Sequence, residues 1–265
     1  MLAAIDTPDI LLIIKLTVTP ILVGLASLAA RRWGNTVAGL ITGFPLMTAP
    51  ISIFLTIEQG AEFTIAASIG ILIALVGIAV YALTYVVAAR YSPWPIAVAL
   101  SYGAFFATSW FVAPFLTTHV TAALAAYGMI FLAIILMPRH QTAGAPVPVP
   151  AWEIWLRMLS TAAMIALVTT IANLVGPTWT GIIATVPVMA TIMVTFTHAR
   201  LGHQPAALFM RSVMLSMFSF TTFFVVAAYA LQSMEPLHAY LLATTAAVAL
   251  SPVVIRIDRA MSGRT

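Results

Sequence analysis

The chain has 265 residues, of which 62% are hydrophobic and 7% charged, with a formal net charge of +4 and no cysteine. A soluble domain carries roughly a quarter of its residues charged, and no soluble core of this length could bury so much apolar surface, so the sequence reads as a polytopic membrane protein. The missing cysteine excludes disulfides, thiolate metal sites and thiol catalysis, and the basic balance reflects the Lys and Arg that cytoplasmic loops collect rather than a nucleic-acid surface.

A membrane span needs about twenty mostly apolar residues. Nine such runs follow one another, at about 10–30, 36–57, 63–89, 94–114, 119–137, 153–175, 178–198, 206–231 and 237–256. Ahead of the first stand Asp6 and Asp9, and Lys15 lies inside it, the reverse of the basic start of a cleavable signal peptide. Connections are short except RHQTAGAPVPVP at 139–150, whose prolines favour extended backbone. With the N-terminus outside, the inner segments hold Arg31, Arg32, Arg90, Arg139, Arg200, Arg256, Arg259 and Arg264. The outer segments hold Asp6, Asp9, Glu58, Glu62 and Glu235 and no Lys or Arg. An odd number of spans keeps this alternation and puts the C-terminus in the cytoplasm of a bacterial inner membrane.

The run Gly34 to Gly60 occurs twice. Gly34, Thr36, Gly39, Ile41, Pro45, Met47, Phe54 and Gly60 return without a gap as Gly176, Thr178, Gly181, Ile183, Pro187, Met189, Phe196 and Gly202, a shift of 142 positions. Spans one to four then match spans six to nine, with span five between them. Four spans plus one is an odd number, so the second copy enters from the opposite side, as an inverted-topology repeat. The expected fold is an all-α membrane protein of about nine helices. Repeat one covers 1–116, a linking span and cytoplasmic loop 117–150, and repeat two 151–265. Gly70, Ala74 and Gly77, which shift onto Ser212, Ser216 and Ser219, sit at helical spacing and read as packing seams.

The run LLIIK ending at Lys15, then Ala29-Ala30-Arg31, Ala38-Gly39-Leu40 and Phe44-Pro45, resembles the small bacterial GlpM-like membrane proteins over roughly residues 10 to 90. Those are about half this length, with four spans, an early lysine and an AGL…FP pattern in span two. The second copy keeps Gly181 and Pro187 but has Arg157, Thr180 and Val186 where the first has Lys15, Ala38 and Phe44. The resemblance implies a fused duplication of such a unit. The family's name associates it with glycerol and exopolysaccharide metabolism, which leaves the substrate open.

Corresponding Gly/Pro-interrupted spans in two inverted halves point to a transporter's midplane site. The candidates are Gly39, Gly43, Pro45 and Thr48 in span two, and Thr180, Gly181, Thr185, Pro187 and Thr191 in span seven. Lys15 and its repeat-mate Arg157 would draw an anion from either face. A lysine stem that snorkels, an i,i+4 pair of Arg157 with Glu153, and prolines tolerated because neighbours re-satisfy the backbone are the structural alternatives. His198, Arg200 and His203 read as a solvated cytoplasmic loop, Glu58 and Glu62 as the outer end of a hairpin, and His119 and His238 as outer-boundary residues.

No HExxH, GxSxG or phosphate loop occurs, so neither catalysis nor a cofactor or metal is expected. The expected function is secondary transport of a small anionic solute by alternating access around spans two and seven. Partners would be membrane lipids and the solute, without nucleic acid, and the chain would be a monomer or homodimer. The alternatives are a non-transporting partner or scaffold subunit, and a lipid flippase. A solvated cavity between spans two and seven would favour transport, and a dry midplane the partner.

Overall fold

Helix α2 (Ala61–Ala88) is apolar on every side, and such a helix is stable only when neighbours or lipid surround it. The computed structural model describes residues 17, 20, 21, 24, 25, 28, 48–138 and 152–262, with only the backbone at 153, 157, 255 and 257–262. In it α2 is central, flanked by α1 (Thr48–Gln59), α3 (Trp94–Val112), α4 (His119–Leu136), α5 (Glu153–Ala184) and α7 (His203–Ala230). The other two, α6 (Val188–Leu201) and α8 (Pro236–Ser262), pack on α7. Every described element is an α-helix.

The main core joins Leu72, Tyr81 and Tyr85 of α2 to Phe105 of α3, Ile130 of α4 and Phe224 of α7, all fully buried. A smaller cluster ties Ile51 and Leu55 of α1 to Ile165, Val168 and Ala184 of α5. The helix starts follow local chemistry. Pro93 caps α3, with another proline in its first turn, a position that needs no N–H donor. Thr118 and Thr121 form a reciprocal capping box at the start of α4.

Three glycines set the turns. Gly60 (φ 88°) joins α1 to α2 and Gly202 (φ 87°) joins α6 to α7, each as a one-residue connection. Gly176 (φ 76°) has the same backbone inside α5 and is followed by Pro177. Around it Thr180 Oγ1 lies 3.5 Å from Ala172 O. Eight residues of straight helix would separate the two by about 12 Å, so the chain bends sharply at Gly176. A side chain at this positive φ with extended ψ, a region open essentially to glycine alone, costs roughly 1–3 kcal/mol. No atom lies within 4 Å of a Cβ built on Gly60, so Gly60→Ala tests that strain alone; thermal unfolding in detergent should show a modestly lowered midpoint.

Among the described residues, six helical stretches are long and apolar enough to cross a membrane. Trp110 and Phe111 near the end of α3, Phe115 just beyond it, and Leu124 and Leu136 of α4 are exposed, as lipid-facing residues are. The chain is an integral membrane protein. The longest stretch, Ile154–Leu201, has 48 residues; it would reach roughly 70 Å if straight, against about 30 Å of hydrocarbon. It holds the expected spans six and seven, separated by the bend at Gly176. Spans one and two lie outside the described residues, apart from six helical positions between 17 and 28 and the helix α1. At one of those positions, a Cβ on Gly24 would stand 2.9 Å from Met158 Sδ of α5.

Two of the expected seams are close crossings. A Cβ on Gly70 would come within 1.9 Å of Thr178 O, and one on Gly77 within 2.5 Å of Ser109 Oγ. Of the serines that the expected repeat pairs with them, Ser219 reaches across to Ser251 at 3.0 Å, whereas Ser212 is exposed and Ser216 bonds to Val213 O of its own helix. Ser109 and Ser251 are themselves 142 residues apart. Ser109 Oγ is the one buried side-chain polar atom without a hydrogen-bond partner among the described residues, because Gly77 offers it no hydroxyl.

Candidate functional site

The run expected as span seven is discontinuous. Pro187 has no N–H to return to Ile183, and Val186 N–H bonds to Ile183 O at 3.2 Å instead. Val188 N–H turns to Val186 O at 2.8 Å, with Pro187 between them at φ −78° and ψ 54°. That is an inverse γ-turn, placed between the last turn of α5 and the first of α6. Thr185 N–H closes a short bond to Ile182 O, which withdraws the usual helical donor from Gly181 O.

Three threonine hydroxyls return to backbone carbonyls of this run, and the one of Thr185 replaces the donor that Gly181 O lost. Thr185 Oγ1 donates to Gly181 O at 2.8 Å, Thr180 Oγ1 to Gly176 O at 2.7 Å, and Thr191 Oγ1 to Pro187 O at 2.7 Å. Thr180 and Thr185 are buried; the hydroxyl of Thr185 serves the break and that of Thr180 the bend at Gly176. Gly181 lets the break lie against α2, since a Cβ there would meet Ala67 O at 2.0 Å. The structure thus brings Thr180, Gly181, Thr185, Pro187 and Thr191 together on one run. Thr48 opens α1 as a buried residue, and α1 reaches the break through Ile51, Leu55 and Ala184. Lys15, Gly39, Gly43 and Pro45 lie outside the described residues, and Arg157 is described in its backbone alone, near the start of α5.

Two polar seams flank the break, and of their residues only Thr191 and His198 stand out in the sequence. On one, Thr191 Oγ1 is shared by Tyr81 OH (2.7 Å) from α2 and Tyr102 OH (2.9 Å) from α3. One turn further along α2, Tyr85 OH lies 3.2 Å from Nδ1 of His198, and the two rings meet edge to face. On the other, Tyr240 OH of α8 sits 2.8 Å from both Ser52 Oγ and Thr56 Oγ1 of α1, and Thr56 Oγ1 donates to Thr64 Oγ1 of α2 at 3.1 Å. The available signal was two i,i+4 polar pairs, Ser52/Thr56 and Tyr81/Tyr85, each on one face of an apolar helix.

His198 corrects the loop expectation: α6 continues to Leu201, and its last turn carries the imidazole inward to Tyr85. Arg200 and His203 are exposed as expected, as is Glu62 in the first turn of α2. His119 ties α4 to α2, with Nε2 2.9 Å from both Ser68 Oγ and Ile65 O. Arg211 is 6% exposed and donates from Nη1 to Ile134 O in the last turn of α4. No group of three or more His, Cys, Asp or Glu side chains is placed to hold a metal among the described residues.

No family model, curated protein or solved structure matches the chain. The function rests on geometry.

Proposed function

We propose that the chain is a secondary transporter of a small anionic solute, working by alternating access between two inverted four-span repeats. The break of span seven at Pro187 carries this reading, because unwound backbone inside a membrane helix is tolerated where it is buried in protein or lines a water-filled cavity, and transporters build their sites from such half-helices. The repeat is supported by features that recur at the same shift of 142: the turn glycines Gly60 and Gly202, and the contacts Gly77–Ser109 and Ser219–Ser251. The sharp bend at Gly176 supports counting spans six and seven separately, hence nine spans, an outer N-terminus and a cytoplasmic C-terminus. A duplicated unit of GlpM-like type would have this form. Lys15 and Arg157 would draw the anion, with Gly39, Gly43, Pro45 and Thr48 facing the span-seven break.

The test is a thermal-shift measurement on purified protein in detergent, with inorganic phosphate and acetate as probes. A ligand bound only by the folded state at a hundredfold excess over Kd stabilises it by about 2.7 kcal/mol. Wild type should melt higher with at least one probe, Lys15→Ala should lose the shift, and Lys15→Arg should keep part of it. An equal shift in wild type and Lys15→Ala would overturn the role of Lys15. No shift with either probe would count against an anionic solute.

A second reading, a non-transporting partner subunit, is favoured by one observation: the side chains between α1 and the break are apolar and closely packed. It expects the glycine crossings to matter and the charged residues not to.

A further inference from the structure

The two polar seams stand at opposite ends of α2. Thr64 belongs to one, and Tyr81 and Tyr85 to the other. The 17 residues from Thr64 to Tyr81 correspond to about 26 Å of helix at 1.5 Å per residue, close to the roughly 30 Å of a bilayer's hydrocarbon core. One cluster therefore lies toward each face. The half-helix before the break crosses α2 at Ala67 to Ile71, and Thr191 just after it reaches Tyr81, which puts the break between the two clusters.

Each cluster fastens a narrow seam. The α1–α8 and α3–α6 contacts are slight beside the broad α2–α3 and α7–α8 packing. Under the shift of 142, α1 corresponds to α6 and α3 to α8, so the two fastened seams are equivalent pairs, each joining one repeat to the other. Thr56 and His198 are exact repeat-mates, and each meets a tyrosine. The other partners differ, so the seams share a position and a chemistry rather than a set of residues. Both consist of neutral hydroxyl-to-hydroxyl or hydroxyl-to-imidazole bonds at 2.7–3.2 Å. Water can replace such bonds when a seam parts, at small net cost. Buried ion pairs would be far costlier to open.

We infer that these clusters are the two gates of the site at the break. Tyr240 with Ser52 and Thr56 closes it from the outer face, and Thr191 with Tyr81 and Tyr102, backed by Tyr85 and His198, closes it from the cytoplasmic face. Both are fastened here, as an occluded form requires. The inference rests on the alternating-access reading and adds which bonds must break on each side.

The absence of cysteine permits a direct test. Ala184→Cys places one thiol at the buried break, and a membrane-impermeant thiol reagent is applied to right-side-out or inverted vesicles. Tyr240→Phe removes a hydroxyl that makes two hydrogen bonds, and it should raise labelling about tenfold from the outer face alone. Thr191→Val should do the same from the cytoplasmic face alone. If Thr191→Val folds poorly, Tyr102→Phe takes its place, and size-exclusion profiles confirm folding of each variant. Labelling unchanged in both folded variants, or raised from the same face in both, overturns the gates. The phosphate and acetate shifts are read on the same preparations. Retained shifts without face-specific labelling would sink the gates and leave transport standing, whereas face-specific labelling without shifts would sink the anionic solute and leave the gates.

Discussion

Gly181→Ala is expected to cost about 3 kcal/mol or more and to leave little folded protein. The added Cβ would stand 2.0 Å from Ala67 O and 2.8 Å from Ile71 N. Both are backbone atoms of the central helix, which cannot swing aside as a side chain would. Gly70→Ala should behave alike, for its Cβ would meet Thr178 O at 1.9 Å. The two glycines form a single crossing in which α2 and the half-helix before the break touch backbone to backbone, a contact small residues allow in membranes. Gly103→Ala is the control. Nothing lies within 4 Å of its Cβ in the interior of α3, and alanine is the better helix former by about 1 kcal/mol. Thermal unfolding and size-exclusion in detergent should rank Gly103→Ala at or above wild type and the other two far below. Wild-type melting of Gly181→Ala would mean that the half-helix does not lie against α2.

Arg211→Ala is expected to destabilise by about 2–3 kcal/mol. The guanidinium is buried and donates to Ile134 O, one of the carbonyls that a helix C-terminus leaves without an internal donor and with partial negative charge. It fastens α7 to the end of α4. Arg211→Lys should recover only part of the loss, since an ammonium lacks the planar fork that reaches several acceptors at once. The melting order wild type, Lys, Ala is the expected result, and an unchanged midpoint in Arg211→Ala would contradict this fastening role.

What was legible in the sequence follows from the range of each interaction. Gly60, Gly176, Pro187 and Gly202 act through local sterics, so their turns and breaks can be read from single residues and from their recurrence at one spacing. Apolar length likewise marks the helices. The tyrosine clusters pair residues 89 to 188 positions apart, and such contacts leave no local pattern beyond a hydroxyl at helical spacing. Arg211 stands nine residues into α7, where it resembles any interfacial arginine until α4 is packed against it. His198 reads as loop in the sequence because it neighbours Arg200, Gly202 and His203, yet a helix can carry polar residues through its last turn. The sequence sets Thr180, Thr185 and Thr191 near Pro187, but only the folded chain shows that their hydroxyls bond to their own backbone.

The inverted arrangement is tested most directly at two equivalent exposed positions, Glu58 at the end of α1 and Arg200 at the end of α6, which are 142 residues apart. Glu58→Cys and Arg200→Cys each give the chain a single thiol, to be labelled with an impermeant reagent in right-side-out and inverted vesicles. Inverted repeats require Glu58→Cys to react only from the outer face and Arg200→Cys only from the cytoplasmic face. Reaction of both from the same face would show the copies to be parallel, and would contradict the inverted repeat together with the alternating-access mechanism built on it.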